Sequence, residues 1–276
     1  MNPLHYSAFT TLSGGGNPAG VVLDASAVSD HEMHTIAARL GYSETAFLIP
    51  KQENSFQIRY FSPEAEVDFC GHATVAAAAA LADHTGLTGN LLLHTNVGEI
   101  PVVLQSNGGS ATVTLCSVEP RMRPLTSLDA LLELLRWSPE DLDQRLPAGL
   151  AFAGLWHPTI WAESRERLAA LDYDFDGLRE LMLDEGWGTV SLLYRETPAV
   201  IHSRNAFPIG GVVEDPATGA AAAALGGYLR AHALIPEDRT VTVLQGEDMG
   251  QPCNIQITIP ETGGILVTGT ARQMTP

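Results

Sequence analysis

The 276-residue chain is 45% hydrophobic and only 17% charged, which gives ample material for a core and excludes a disordered chain. Its formal net charge of −17 argues against nucleic acid and anionic membrane surfaces as partners, and Lys51, the single lysine, argues against Schiff-base or pyridoxal phosphate chemistry. Cys70, Cys116 and Cys253 are odd in number and far apart, so they form neither a disulfide framework nor a zinc spacing. A reducing, cytoplasmic setting is expected. The opening MNPLHYSAFTTLSGGG lacks a basic region and an apolar core, so no signal peptide is expected there.

In chain order, a strand near Leu4–Phe9 leads into the glycine-rich turn Ser13–Gly20 and a strand at Val21–Leu23. The turn has no Lys-Ser/Thr and no GxGxxG register, so it does not read as a phosphate loop. Ser29 caps a helix whose Met33, Ile36, Ala37 and Leu40 share one face, and Gly41 ends it. A strand from Ala46 to Ile49 follows, with Glu44 near its start, and then a strand from Phe56 to Phe61. RYFSPEAEVDFCGHATVAAAAAL, residues 59–81, runs a polar turn into an alanine helix. Alanine is the best helix former and adds no bulk, so neighbours can approach such a helix closely. Strands follow at 91–94, 100–104 and 111–115, then a connector at 119–147 with two short helices.

From about Gly149 the order of elements repeats. Val190–Tyr194 stands for Ala46–Ile49, Ala199–Arg204 for Phe56–Phe61, and RNAFPIGGVVEDPATGAAAAALGGYL at 204–229 gives a second turn and alanine helix. Strands at 241–250, 255–259 and 265–269 match 91–104 and 111–115. The chain therefore reads as an α/β (α+β) duplication, with halves at 1–118 and 119–276 and the last strand able to pack back on the first half. Within it, His157 aligns with Asn17, Glu44 with Thr189, and Cys70-Gly71-His72 with Glu214-Asp215-Pro216. Ionisable groups present in one copy alone are the better candidates for chemistry.

The segments GGGNPAGVVLD, GYSETAFL, RYFSPEAEVDFCGHAT, VVEDPATGAAAAALGGYL and QGEDMGQP resemble the PhzF (phenazine biosynthesis-like) family along nearly the whole chain. The resemblance implies the diaminopimelate epimerase-like fold: two similar halves, strands wrapped around a central helix, and an active site between them. It implies a cofactor-free, metal-free isomerase, with the family's catalytic glutamate on Glu44, its histidine on His72 and its aspartate on Asp215. Two positions depart from the family pattern: Ala220 replaces the usual Ser, and Gln251 stands where Arg is common.

Each candidate also has a plainer reading. Glu44 could be a solvated strand-end carboxylate, His72 a helix-start residue bonded to local backbone, and Asp215 a carboxylate favoured by the helix dipole. Cys70 could be the thiol base of a two-base epimerase, but its partner thiol would be expected near Asp215 and is missing, so packing is the expected role. The two helix starts offer N–H groups to an anion, which makes Gly71, Ala73, Thr74, Thr218, Gly219 and Ala220 candidate substrate contacts, with Asn17 beside them. His94, His157, His202 and His232 are scattered without ligand spacing and read as structural. The expected partner is a small carboxylate-bearing metabolite, and a homodimer is allowed. The function expected is a proton shift by acid/base catalysis; a two-base epimerase or racemase and an inactive ligand-binding protein are the alternatives.

Overall fold

Buried and more exposed residues alternate with period two along Ala111–Cys116, Thr240–Gln245 and Cys253–Thr258, while the alanine runs can only be helices enclosed on all sides. The computed structural model describes residues 2–11, 14–106 and 111–275. Ser13 of the glycine-rich turn lies outside the described residues. In chain order the elements are β1 (Leu4–Ala8), β2 (Asn17–Val22), α1 (Asp30–Leu40), β3 (Thr45–Gln52), β4 (Ser55–Phe61), β5 (Glu66–Val67) and α2 (Gly71–Thr85). Next are β6 (Gly89–Thr95), β7 (Gly98–Ser106), β8 (Ala111–Cys116), β9 (Arg121–Arg123), α3 (Leu128–Leu135), β10 (Gly149–Phe152), β11 (Trp156–Trp161) and α4 (Arg165–Ala169). The chain ends with α5 (Phe175–Glu185), β12 (Val190–Thr197), β13 (Val200–Ala206), β14 (Glu214–Asp215), α6 (Gly219–Ala231), β15 (Thr240–Gln245), β16 (Cys253–Thr258) and β17 (Leu266–Gln273). Two compact units result: one runs to Cys116 and resumes at Thr268, the other is Ser117–Val267.

In the first unit the strands close on themselves. The pairing runs β17–β1–β2–β3–β4–β6–β7–β8 and back to β17, with β5 added at the edge of β4. A hydrogen bond of 2.9 Å between Thr114 and Thr268 marks the closure. α2 fills the ring, and every residue from His72 to Leu81 is buried. Five consecutive alanines, Ala76–Ala80, let the strands sit close to the helix backbone on all sides. α1 lies outside, with Ser29 and Glu32 forming a capping box and Gly41 closing it at φ 68.

The second unit repeats the plan as β9–β10–β11–β12–β13–β15–β16, with β14 on β13. Its enclosed helix is α6, buried from Ala221 to Leu229. Gly226 and Gly227 let Ile265 and Pro120 approach the α6 backbone where any Cβ would collide with them. The connector holds α3 and a 3-10 turn at Pro139–Asp141, as its leucine spacing and Ser138-Pro139 suggest. It also holds β9, which pairs with β10.

The register of the two units corrects the sequence alignment in two places. Thr45↔Phe61 corresponds to Val190↔Ala206, which keeps Glu44 opposite Thr189. However, Val21↔Ala46 corresponds to Thr159↔Ser191, so His157 is the counterpart of Ala19 and not of Asn17. Similarly, Phe61↔Glu66 corresponds to Ala206↔Glu214, and Gly71 and Gly219 both open their helices. Thus Glu66 matches Glu214, Val67 matches Asp215, Cys70 matches Thr218 and His72 matches Ala220. The dipeptide Ala-Thr misaligns the turns because Ala73-Thr74 lies inside α2, whereas Ala217-Thr218 precedes α6. Among the described residues no helix is long and apolar enough to cross a membrane.

Candidate active site

Glu44 stands where a helix stop runs into a strand. Tyr42 is held by a 2.8 Å contact between its hydroxyl and His5 Nδ1. The Glu44 carbonyl accepts the Gly20 N–H at 3.3 Å, so its backbone already belongs to the β2–β3 pairing. The carboxylate therefore projects from the end of a rigid parallel pair. Rigid support of this kind keeps a reacting group in one geometry.

Cys70 precedes α2 as its N-cap, yet its side chain caps nothing. Its Sγ lies 3.4 Å from Glu44 Oε2 and 3.3 Å from His72 Nδ1. His72 Nε2 is 3.3 Å from Glu44 Oε2 and 3.3 Å from Ser43 Oγ. Cys70 and His72 are buried, and the Glu44 side chain retains 17% of its exposure. Three proton-carrying groups thus meet in one largely water-excluded spot of the first unit. Such a cluster can take a proton, share it and return it, and its carboxylate, thiol and imidazole could also hold a metal ion.

The first turn of α2 adds N–H donors. Its first i→i−4 bond runs from the Thr74 N–H to the Cys70 carbonyl at 3.0 Å, so the N–H groups of Gly71, His72 and Ala73 precede the helical ladder. Thr74 itself is engaged within the fold. Its N–H is used, its hydroxyl donates to the Cys70 carbonyl at 2.6 Å, and the Tyr60 hydroxyl lies 2.7 Å away. Thr74 is fully buried and fastens the start of α2 to β4. Asn17 is buried in β2, opposite Ala8 of β1.

In the second unit, Asp215 closes β14 and pairs with Asn205 of β13. Its Oδ2 accepts the Thr218 hydroxyl at 2.5 Å. Gln245 ties the turn together: its Nε2 donates to the Asp215 carbonyl at 2.7 Å and to the Thr218 hydroxyl oxygen at 3.1 Å, and its Oε1 accepts the Thr218 N–H at 3.2 Å. Thr218 is therefore bound up in the turn, while Gly219 and Ala220 lie in the first turn of α6, ahead of the Ala222 N–H to Thr218 carbonyl bond at 3.0 Å. The counterpart of Glu44 is quite different. Thr189 lies in a buried polar network with His157, Ser191 and Asn205, and burial lowers the His157 pKa from 6.5 to about 4.

Three of these participants do not stand out in the sequence. Cys70 reads as packing but touches both Glu44 and His72. Ser43 is seen only as part of the GYSETAFL segment, and Gln245 only as part of the closing QGEDMGQP segment. Nothing in the residue type separates a packed thiol from one in a site; the signal available was its place two residues before His72.

The family of phenazine biosynthesis-like proteins matches the chain over residues 6–275. The uncharacterized isomerase YfhB of Bacillus subtilis is 33% identical, with 97% of this chain and 94% of that protein covered. A trans-2,3-dihydro-3-hydroxyanthranilate isomerase of Pseudomonas chlororaphis is 32% identical, covering 90% and 87%. The crystal structure of a Bacillus anthracis phenazine biosynthesis protein of the PhzF family superposes with a TM-score of 0.88 at 25% identity, covering 99% of this chain and 96% of that one. The fold, two units with strands around a central helix, is of the diaminopimelate epimerase-like kind. The chain belongs to the phenazine biosynthesis-like (PhzF) family and is one of its isomerases.

Proposed function

We propose that this isomerase moves a proton on a small carboxylate-bearing metabolite without a cofactor, using Glu44 as the one base that removes the proton from carbon and returns it. The observation that carries the reading is the contact of Glu44 Oε2 with His72 at 3.3 Å and Cys70 at 3.4 Å. His72 and the thiol surround the carboxylate oxygen that would hold the migrating proton. The N–H groups of Gly71 and Ala73 beside this cluster suit the substrate carboxylate. Asp215, with the N–H groups of Gly219 and Ala220 in the turn after it, is assigned to gripping a polar group of a substrate.

The same contact speaks against Cys70 as a second base. Two bases that epimerise a carbon must stand on opposite faces of it, with the substrate between them. A thiol 3.4 Å from the carboxylate leaves no room for a carbon atom between the two. The name of the Pseudomonas chlororaphis relative supplies the first substrate to try, trans-2,3-dihydro-3-hydroxyanthranilate. Glu44→Gln keeps the shape and hydrogen bonding but removes the base, and its turnover should fall by roughly two to four orders of magnitude. Undiminished turnover in Glu44→Gln would exclude the role.

A further inference from the structure

Glu44, Cys70 and His72 carry chemistry that proton transfer does not exhaust. We infer that these three side chains form a zinc site, which an ion can occupy in place of the migrating proton. Among the described residues this is the one group of three potential ligands whose donor atoms lie within 4.8 Å of one another.

The donor atoms are close enough to reach one ion. Glu44 Oε2 to His72 Nε2 is 3.3 Å, Cys70 Sγ to Glu44 Oε2 is 3.4 Å, and Cys70 Sγ to His72 Nε2 is 3.9 Å. A tetrahedral zinc with bonds of about 2.0 Å to oxygen and nitrogen and about 2.3 Å to sulfur separates its ligands by about 3.3–3.6 Å. Cys70 Sγ is nearer to His72 Nδ1, at 3.3 Å, so it stands beside the imidazole ring, and turning the Cys70 and His72 side chains about their own bonds brings sulfur and Nε2 onto one ion. The supporting backbone is rigid on both sides, since Glu44 ends a parallel strand pair and Cys70-Gly71-His72 opens a fully enclosed helix.

The donor types favour zinc over harder ions. Thiolate and imidazole suit zinc and other borderline or soft metals, whereas magnesium and calcium need oxygen ligands. A carboxylate and a thiolate supply two negative charges to balance the ion, in a chain of net charge −17 that concentrates cations. Three protein ligands leave a fourth position open, the arrangement of reactive zinc centres. The partial exposure of Glu44 gives the ion a way in. The acid–histidine cluster at His202 is different: both its ring nitrogens already face carboxylates, Glu247 at 2.8 Å and Glu196 at 2.7 Å.

Zinc bound here takes the oxygen lone pair that the proposed base needs, so the metal-loaded protein is the inactive form. That consequence rests on the function proposed above, but the binding does not. The test therefore reads metal directly. Metal-free full-length protein is titrated with cadmium, whose bond to a thiolate gives a charge-transfer band in the ultraviolet, and with zinc against a chromophoric chelator. One cadmium per chain with the band is expected, retained in Cys116→Ser and Cys253→Ser and absent in Cys70→Ser. Glu44→Gln, which preserves the fold's shape, should bind zinc at least about 10-fold more weakly, the smallest loss that even an outer partner of a metal ligand causes. Absence of the band in the wild type, its persistence in Cys70→Ser, or unchanged zinc affinity in Glu44→Gln would each overturn the site.

Discussion

Arg204 grips Glu214 with two guanidinium N–H groups, one of them at 2.9 Å, and the two side chains keep only 10% and 7% of their exposure. Arg59 and Glu66 make the same two-point pair in the first unit, at 2.7 Å for each bond, but there the glutamate is 29% exposed and Asp30 shares the arginine. The duplication thus preserves an ion pair while changing its surroundings. Removing one partner of a buried pair leaves a charge without solvent or counterion and costs about 3–5 kcal/mol, whereas exposed pairs are worth about 0–1 kcal/mol. Glu214→Gln should therefore lower stability far more than Glu66→Gln in urea melts. Equal losses would show that burial does not distinguish the two pairs.

Gly227 lies mid-helix, where alanine normally gains about 1 kcal/mol. Here a Cβ would overlap Pro120 Cβ, a ring carbon that cannot rotate away. Gly227→Ala should consequently destabilise the protein, and a rise in thermal midpoint would mean that the segment at Pro120 gives way freely.

His157 is fully enclosed, and burial holds its pKa near 4 against the usual 6.5. The unfolded chain then binds a proton between those values that the folded chain refuses. Stability rises with pH across that window, so acidification from 6.5 to about 4 should remove on the order of 3 kcal/mol through this residue alone. Replacing His157 with Gln should flatten that part of the pH profile. A profile of undiminished slope would assign the loss to other groups.

Much of the fold is legible because the local signals agree with one another. The Ser29–Glu32 box and Gly41 bound α1 where the sequence places it. The alanine runs announce enclosed helices because nothing else tolerates so long a stretch without charge. What stays hidden depends on contacts distant in sequence. β9 is three residues, Arg121-Met122-Arg123, and its arginines stack on Phe152 and Trp156 at 4.1 and 4.2 Å, partners that no local pattern reveals. The connection between β13 and β14 is longer than that between β4 and β5, and only the strand register shows that Val67, and not a residue of CGH, is the counterpart of Asp215. Glu44 is singled out by its place before an apolar strand, by its lack of an ionisable counterpart at Thr189 and by the family resemblance, whereas the contact of Cys70 with it needed coordinates.

The central claim is that Glu44 alone carries the proton, shielded by Cys70 and His72. It is tested most directly by running the reaction in deuterated water and stopping at low conversion. A single base returns part of the hydrogen it removed, diluted by whatever exchange the neighbouring thiol and imidazole allow. Product that retains a fraction of the original hydrogen at the new position is the result expected. Complete deuterium incorporation in the product, with none in recovered substrate, would point to a second base on the opposite face and would contradict the account.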